Sequence, residues 1–216
     1  RITSQTHERY YLLANLYDFN PAQDRVEPGR ILELDRWALH RTREVADLVT
    51  QAYDTFQFHE VARAIYQFCV LDLSAFYLDA LKDRLYTEAQ DQERRRCAQT
   101  VLYDILVALV KTLSPVLVMT TDEVWQLMRA AGWVSEPSVH LAGWPQDLPQ
   151  TLDEDGQRRW AAFFLIRERV MKALEEQRSR GVIGSGLEAQ VTLAVADPAL
   201  QQQCDATPTP ATPKPE

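Results

Sequence analysis

From Phe58 to Thr87 the chain reads FHEVARAIYQFCVLDLSAFYLDALKDRLYT, a stretch without glycine or proline in which apolar residues recur every three or four positions. Phe58, Val61, Ile65, Cys69, Leu73 and Phe76 mark one helical stripe, and Leu71, Ala75, Leu78 and Leu85 a second beside it. The spacing predicts one long helix whose middle is covered on more than one side. At about 1.5 Å per residue it spans roughly 40 Å, enough to form the spine of a bundle. Its last turn, Lys82-Asp83-Arg84-Leu85-Tyr86, would stand clear of the core.

The same period predicts helices on either side. One runs from about Thr6 to Leu16 and ends before Asn20-Pro21, a step that disfavours helix. A second, from about Glu33 to Phe56, turns Leu34, Trp37, Ala38, Val45, Leu48, Val49 and Ala52 inward. After a polar connection, Val101, Leu102, Ile105, Leu109 and Leu113 define a helix ending at Ser114-Pro115. A short helix then begins at Thr120, whose hydroxyl caps it while Glu123 bonds back in a reciprocal capping box, and stops at Gly132. Residues 133–150 read as an ordered loop with Trp144 as a plug over the core. The last helix, about Glu154 to Arg180, carries Trp160, Phe163, Phe164, Ile166, Val170, Ala173 and Leu174 on a broad apolar face and ends at Gly181, a left-handed cap.

Beyond Gly181 the period drops to two. Leu187, Ala189, Val191, Leu193 and Val195 alternate with intervening residues as in a strand packed on one face, although no clear partner strand exists in the chain. The ending ATPTPATPKPE is proline-rich and reads as a flexible tail. The fold class that follows is mainly α, an antiparallel helical bundle over residues 1–150. A short C-terminal α/β extension, a long helix plus strand, covers 151–196, and the tail covers 197–216.

Composition and charge narrow the function. The chain has 216 residues, 46% apolar, with no run of eighteen apolar residues and no signal-peptide pattern, which reads as soluble, cytoplasmic and without a membrane partner. Cys69, Cys97 and Cys204 lack paired metal-ligand spacing and the histidines do not cluster near them, so we expect reduced thiols and no metal. A net charge of −8 excludes a protein that coats nucleic acid indiscriminately but allows a local basic site. Phosphate-loop, nucleophile-elbow and H-E-x-x-H motifs are missing, and Gly181, Gly184 and Gly186 precede a strand pattern rather than a helix. No catalytic residue is therefore assigned.

Three charged groupings remain. Asp72 and Asp79 share a helix face, but Asp79 stands at ion-pair spacing from Lys82, and Asp72 reads as a hydrogen-bond partner for another helix. Arg94, Arg95 and Arg96 fan around a helix axis near an N-terminus, where the dipole disfavours cations, and read as a solvated face, with phosphate contact as the alternative. Lys82 and Tyr86 share a face one turn apart with Arg84 beside them. A cation for phosphate with a ring for stacking suits single-stranded loops of RNA. A merely solvated helix tip is the competing reading.

At these residues the chain resembles a known family. DRWAL at 35–39, the whole of 58–87, RRCAQTVLYDILVALVKTLSPVL at 95–117, TTDEVW at 120–125, SVHLAGWP at 138–145 and IGSGLEAQV at 183–191 are similar to the anticodon-binding region of bacterial-type isoleucyl-tRNA synthetases. The resemblance runs from about Leu13 to Val195; FYLDALKDRLYT followed by AQTVLYDIL is specific, whereas DRWAL and TTDEVW are shared more loosely with valyl and leucyl relatives. It implies a helical anticodon domain followed by the start of an α+β junction. The parent enzyme it implies charges tRNA(Ile) with isoleucine using ATP and Mg²⁺. The HIGH and KMSKS sequences and an editing domain are missing from these residues, so neither activity nor those cofactors would reside here. Partners would be the tRNA(Ile) anticodon stem-loop and the catalytic and editing domains of the same polypeptide. On this reading Lys82 and Arg84 meet phosphate or base edges and Tyr86 stacks. Arg36 and Trp37 are further candidates, Trp37 being also readable as core. The alternatives are the anticodon domain of a valyl enzyme and a helical protein-interaction scaffold with no RNA role.

Overall fold

The computed structural model describes residues 12–145, 148, 151–185 and 188–193. Among them are helices α1 (Glu33–Asp54), α2 (Phe58–Tyr86), α3 (Glu93–Leu113), α4 (Val118–Ala130) and α5 (Glu154–Ser179), with 3₁₀ turns at Pro28–Arg30 and Val139–Leu141. The chain divides into two compact units, Arg1–Thr151 and Leu152–Glu216. The expected helix from Thr6 falls mostly outside the described residues, but Leu12, Leu16 and Phe19 are buried in the core of the first unit. Cys204 and the proline-rich tail also lie outside them.

In the first unit the end contacts of α1, α2 and α3 fix their directions. Tyr53, at the end of α1, meets Phe58, at the start of α2, ring to ring at 6.0 Å, and donates its hydroxyl to the carbonyl of Thr112 near the end of α3 at 3.0 Å. At the opposite pole Asp35, near the start of α1, meets Arg84 at the end of α2, and Arg84 reaches the carbonyl of Arg94 at the start of α3. The order is therefore up, down, up. The α1–α2 corner is tight enough to hold Phe56 in the left-handed region, at φ 57°.

The rod α2 is α-helical over Phe58–Gln67 and Leu78–Tyr86 but π-helical over Phe68–Tyr77, with the Leu78 amide donating to the Leu73 carbonyl five residues back. The π stretch solves a phase problem. Val61, Ile65, Cys69, Leu73, Tyr77, Leu81 and Leu85 are all buried, one every fourth residue. In an ideal α-helix a four-residue step overshoots one turn by about 40°, so the stripe would wind out of the core along the rod. A π turn holds more than four residues, so the same step undershoots and turns the stripe back.

The second stripe expected on this helix is covered only in its C-terminal half: Leu78 and Leu85 are buried, whereas Leu71 is 60% exposed and Ala75 is exposed within the π stretch. Phe58 and Leu48, both expected inward, are exposed as well, at helix ends and faces that the bundle does not reach. By length and apolarity alone the rod could cross a bilayer; its contacts with α1 and α3 account for that apolarity as bundle core.

Helix α4 begins two residues before the expected cap. Thr121 donates its hydroxyl to the Leu117 carbonyl, and the Asp122 carboxylate accepts from the Ser138 hydroxyl at 2.6 Å and the Val139 amide at 3.1 Å. The capping box is thus absent; the carboxylate instead holds the following loop. Trp125 is buried and donates to the Glu136 carbonyl at 2.9 Å. Trp144 is half-buried, donating to the Thr50 hydroxyl at 2.8 Å and meeting Tyr53 edge-on at 5.7 Å.

In the second unit Asp153 caps α5 by accepting from the Gly156 amide at 2.7 Å, and Gly181 at φ 70° ends it as expected. Trp160, Phe163 and Phe164 form a ring cluster with centroids 5.4–6.0 Å apart. The strand expected over 187–195 is not seen at 188–193, and no strand occurs among the described residues. There the Glu188 carboxylate accepts from the Gly184 amide at 2.8 Å, which closes a local turn. An alternating pattern without a ladder partner leaves its backbone groups to such local bonds or to water.

The π register predicts a sharp contrast within α2. Leu73→Ala lowers unfolding stability by roughly 2–5 kcal/mol, as for a buried leucine, whereas Leu71→Ala stays within about 0.5 kcal/mol. Urea unfolding of the two variants measures the difference, and equal losses would contradict the observed phase.

Candidate nucleic-acid interface

The pole where α1 and α3 begin and α2 ends holds the residues singled out in the sequence. Asp35 lies on the buried stripe of α1 with Ala38, Leu39, Thr42 and Val45, so its carboxylate enters the core. It accepts from the Tyr77 hydroxyl at 2.7 Å and from both Arg84 terminal nitrogens at 2.7 and 3.2 Å. Arg84 spends its remaining donors on the Arg94 carbonyl, from Nε at 3.1 Å and Nη2 at 2.5 Å. Burial works against its charge, but the hydrogen bonds and charge of Asp35 outweigh it and hold the Arg84 pKa above its usual value. Burial, then the neighbouring Asp35, pushes the Tyr77 hydroxyl well above the ordinary tyrosine range.

Arg84 is therefore not presented at the surface as the sequence pattern suggested: only 6% of it is exposed, and its guanidinium is engaged by Asp35 and a carbonyl. Trp37 is likewise core, edge-on to Phe76 at 5.0 Å. The sequence pattern concealed the first of these because helical spacing places Arg84 beside Lys82 without saying what reaches it from α1. The one available signal was Asp35 itself, a carboxylate at a core position, which must find a cation.

A second buried pin lies alongside. Arg95 donates to the Leu85 and Glu88 carbonyls at 2.8 and 3.3 Å and to Asp18 Oδ2 at 3.0 Å. Carbonyls in the last turn of a helix lack intrahelical donors, and Arg95 supplies them from α3. Arg96 donates to the Asp18 carbonyl and to Gln99, each at 2.8 Å, and Gln99 donates to Asp18 Oδ1 at 2.7 Å. The solvated-face reading of the arginine run thus fails for Arg95 and Arg96, whose partners come from the distant 15–24 loop. It fits Arg94 alone, exposed and paired with Glu88 at 3.3 Å. Asp72 does bond another helix, accepting from Arg41 Nε at 2.9 Å.

What stays outside is a small set. Lys82 is exposed and pairs with Asp79 at 2.6 Å, whose hydrogen bond and charge raise the ammonium pKa. Tyr86, one turn further on, is 60% exposed. Arg36 is exposed at the start of α1, and among the described residues its guanidinium makes no ion pair. The arrangement offers a cation and a ring on a turn that Arg95 holds by the Leu85 carbonyl and Arg84 ties to α1 and α3.

Residues 35–193 match the family described as the anticodon-binding domain of tRNA ligase. The chain is similar to isoleucine–tRNA ligase of Brevibacillus brevis, 47% identical over 185 residues, covering 85% of this chain and 20% of that protein. It is also similar to those of Moorella thermoacetica, 45% identical over 184 residues (85% of this chain, 20% of that protein), and Geobacter sulfurreducens, 46% identical over 190 residues (88% and 20%). The chain spans about one fifth of the length of these relatives.

Two measurements test the buried cluster. Arg84→Ala leaves Asp35 unpaired in the core and costs about 3–5 kcal/mol in denaturant unfolding, while exposed Lys82→Ala leaves the midpoint unchanged. The Tyr77 contribution to stability is complete below about pH 10, the unfolded tyrosine pKa, and is lost as pH rises, because the unfolded ring ionises first. Unfolding midpoints followed above pH 10 should fall less steeply for Tyr77→Phe than for the parent chain.

Proposed function

We propose that this chain, which belongs to the anticodon-binding domain family of tRNA ligases, holds the anticodon arm of an isoleucine tRNA on the pole where α2 ends, as part of an isoleucine–tRNA ligase. The observation that carries the reading is the exposed pair Lys82 and Tyr86, one turn apart on a helix end clamped by Arg84 and Arg95. A lysine there meets backbone phosphate and a tyrosine stacks on an unpaired base. Arg36 adds a cation at the start of α1. The net charge of −8 over the whole chain disfavours indiscriminate RNA binding.

The isoleucine assignment is supported by relatives that carry that name. ATP and Mg²⁺ would be used by catalytic parts of the ligase beyond these residues, and editing by another domain of the same polypeptide. The present chain contributes position: binding energy at the anticodon arm orients the distant acceptor end for reaction. The cytoplasm, where charged tRNA is consumed, is the compartment this reading implies.

Titrating the 216-residue chain with isoleucine and valine anticodon stem-loops at several salt concentrations tests the proposal. Affinity for the isoleucine hairpin should be higher and should fall as salt rises. Lys82→Ala should weaken binding and reduce the salt slope by about one, with an unchanged melting temperature. Equal affinity for both hairpins would sink the isoleucine assignment, and no affinity for either would favour a scaffold.

A further inference from the structure

The Arg95 guanidinium that clamps the end of α2 also holds a second aromatic residue, which the sequence reading passed over. Tyr17 accepts a hydrogen bond on its hydroxyl from Arg95 Nη2 at 3.4 Å, and its ring centroid lies 6.0 Å from the centre of the same guanidinium. Through Nη1 that guanidinium is bonded to the Leu85 carbonyl, the residue next to Tyr86. One buried guanidinium thus contacts Tyr17 and holds the backbone of the residue before Tyr86, and the two tyrosines are 72% and 60% exposed.

Resting on the anticodon-arm reading above, we infer that Tyr17 is a second base-stacking residue of that RNA surface and works beside Tyr86 on successive unpaired bases. Three features set it apart from an ordinary surface tyrosine. Its hydroxyl is anchored, and its neighbour Asp18 is bonded by Arg95, Arg96 and Gln99, so the ring is held in place before any partner arrives. A ring already immobilised loses little conformational freedom on stacking. The carboxylate nearest it in sequence, that of Asp18, is engaged by Arg95 and Gln99, which offsets its repulsion of an approaching phosphate. Most of the side chain remains exposed, and an aromatic ring offers a surface that any base can cover.

The test uses the 216-residue chain and its Tyr17→Ala, Tyr17→Phe and Lys82→Ala variants against two RNAs. One is the isoleucine anticodon stem-loop; the other has the same stem closed by a compact, internally stacked tetraloop. Tyr17→Ala should weaken binding of the anticodon loop about five- to tenfold, the lower part of the range for losing one stacked base, with little effect on the tetraloop hairpin. Tyr17→Phe, which keeps the ring but loses the hydroxyl bond to Arg95, should bind the anticodon loop more weakly than the parent and more tightly than Tyr17→Ala. Melting temperatures of both should match the parent, so that a loss of affinity is not a loss of fold.

If Lys82→Ala weakens binding but Tyr17→Ala does not, the Tyr17 assignment is overturned while the anticodon-arm reading stands, and the ring becomes a candidate contact for protein instead. An equal loss on both RNAs also overturns it, because the ring would then not be touching the loop. If the parent chain binds neither RNA, the anticodon-arm reading falls and takes this inference with it.

Discussion

Asp35 carries a carboxylate into a place with no solvent exposure, and that is tolerable only because Arg84 and Tyr77 reach it from α2. A lone charge in such a site would be driven to neutralise or to leave. The pair demands more than contact: Arg84 must also find acceptors for its other donors, and the Arg94 carbonyl at the start of α3 provides them. One guanidinium thus joins three helix ends. Buried ion pairs of this kind add little net stability relative to an apolar core of the same shape, but they penalise any packing that separates the partners. Here the penalised alternatives are those in which α2 slides or rotates against α1.

The π stretch of α2 belongs to the same constraint. Tyr77 and Arg84 are seven residues apart, and both must face α1 while Val61 and Ile65, far along the rod, also face the core. A uniform α-helix cannot keep residues at every fourth position on one face over this length, and the wider turns between Phe68 and Tyr77 make up the phase difference. The consequence reaches the surface. Lys82, Asp83 and Tyr86 are the positions left outward once Leu81, Arg84 and Leu85 have turned in. What nucleic acid could meet at this pole is therefore decided in the core of the rod.

A rigid presentation has functional value for a domain that reads a loop. Single-stranded RNA is flexible, and each mobile protein side chain that must be ordered on binding subtracts from affinity. Clamping the last turn of α2 through Arg84 and Arg95, and the 17–18 segment through Arg95 and Arg96, places that ordering in the folded state of the protein.

Helix positions, the glycine stops at Gly132 and Gly181, the outward pair Lys82 and Tyr86 and the family resemblance were all legible in the residues alone, because periodicity and capping are local consequences of backbone geometry. The fates of Arg84, Arg95 and Arg96 were not. An arginine at a given helical register is solvated or buried according to whether an acceptor arrives from elsewhere, here Asp35 from 49 residues away and Asp18 from 77 and 78. The π turns were hidden for a related reason: the apolar stripe is compatible with either helix until neighbouring helices require one phase. Likewise the alternating residues near 190 specify a strand only when a second strand supplies the hydrogen bonds. The local chain determined which segments are helical and which chemistry they carry; long-range electrostatics and packing decided which of those charges face water.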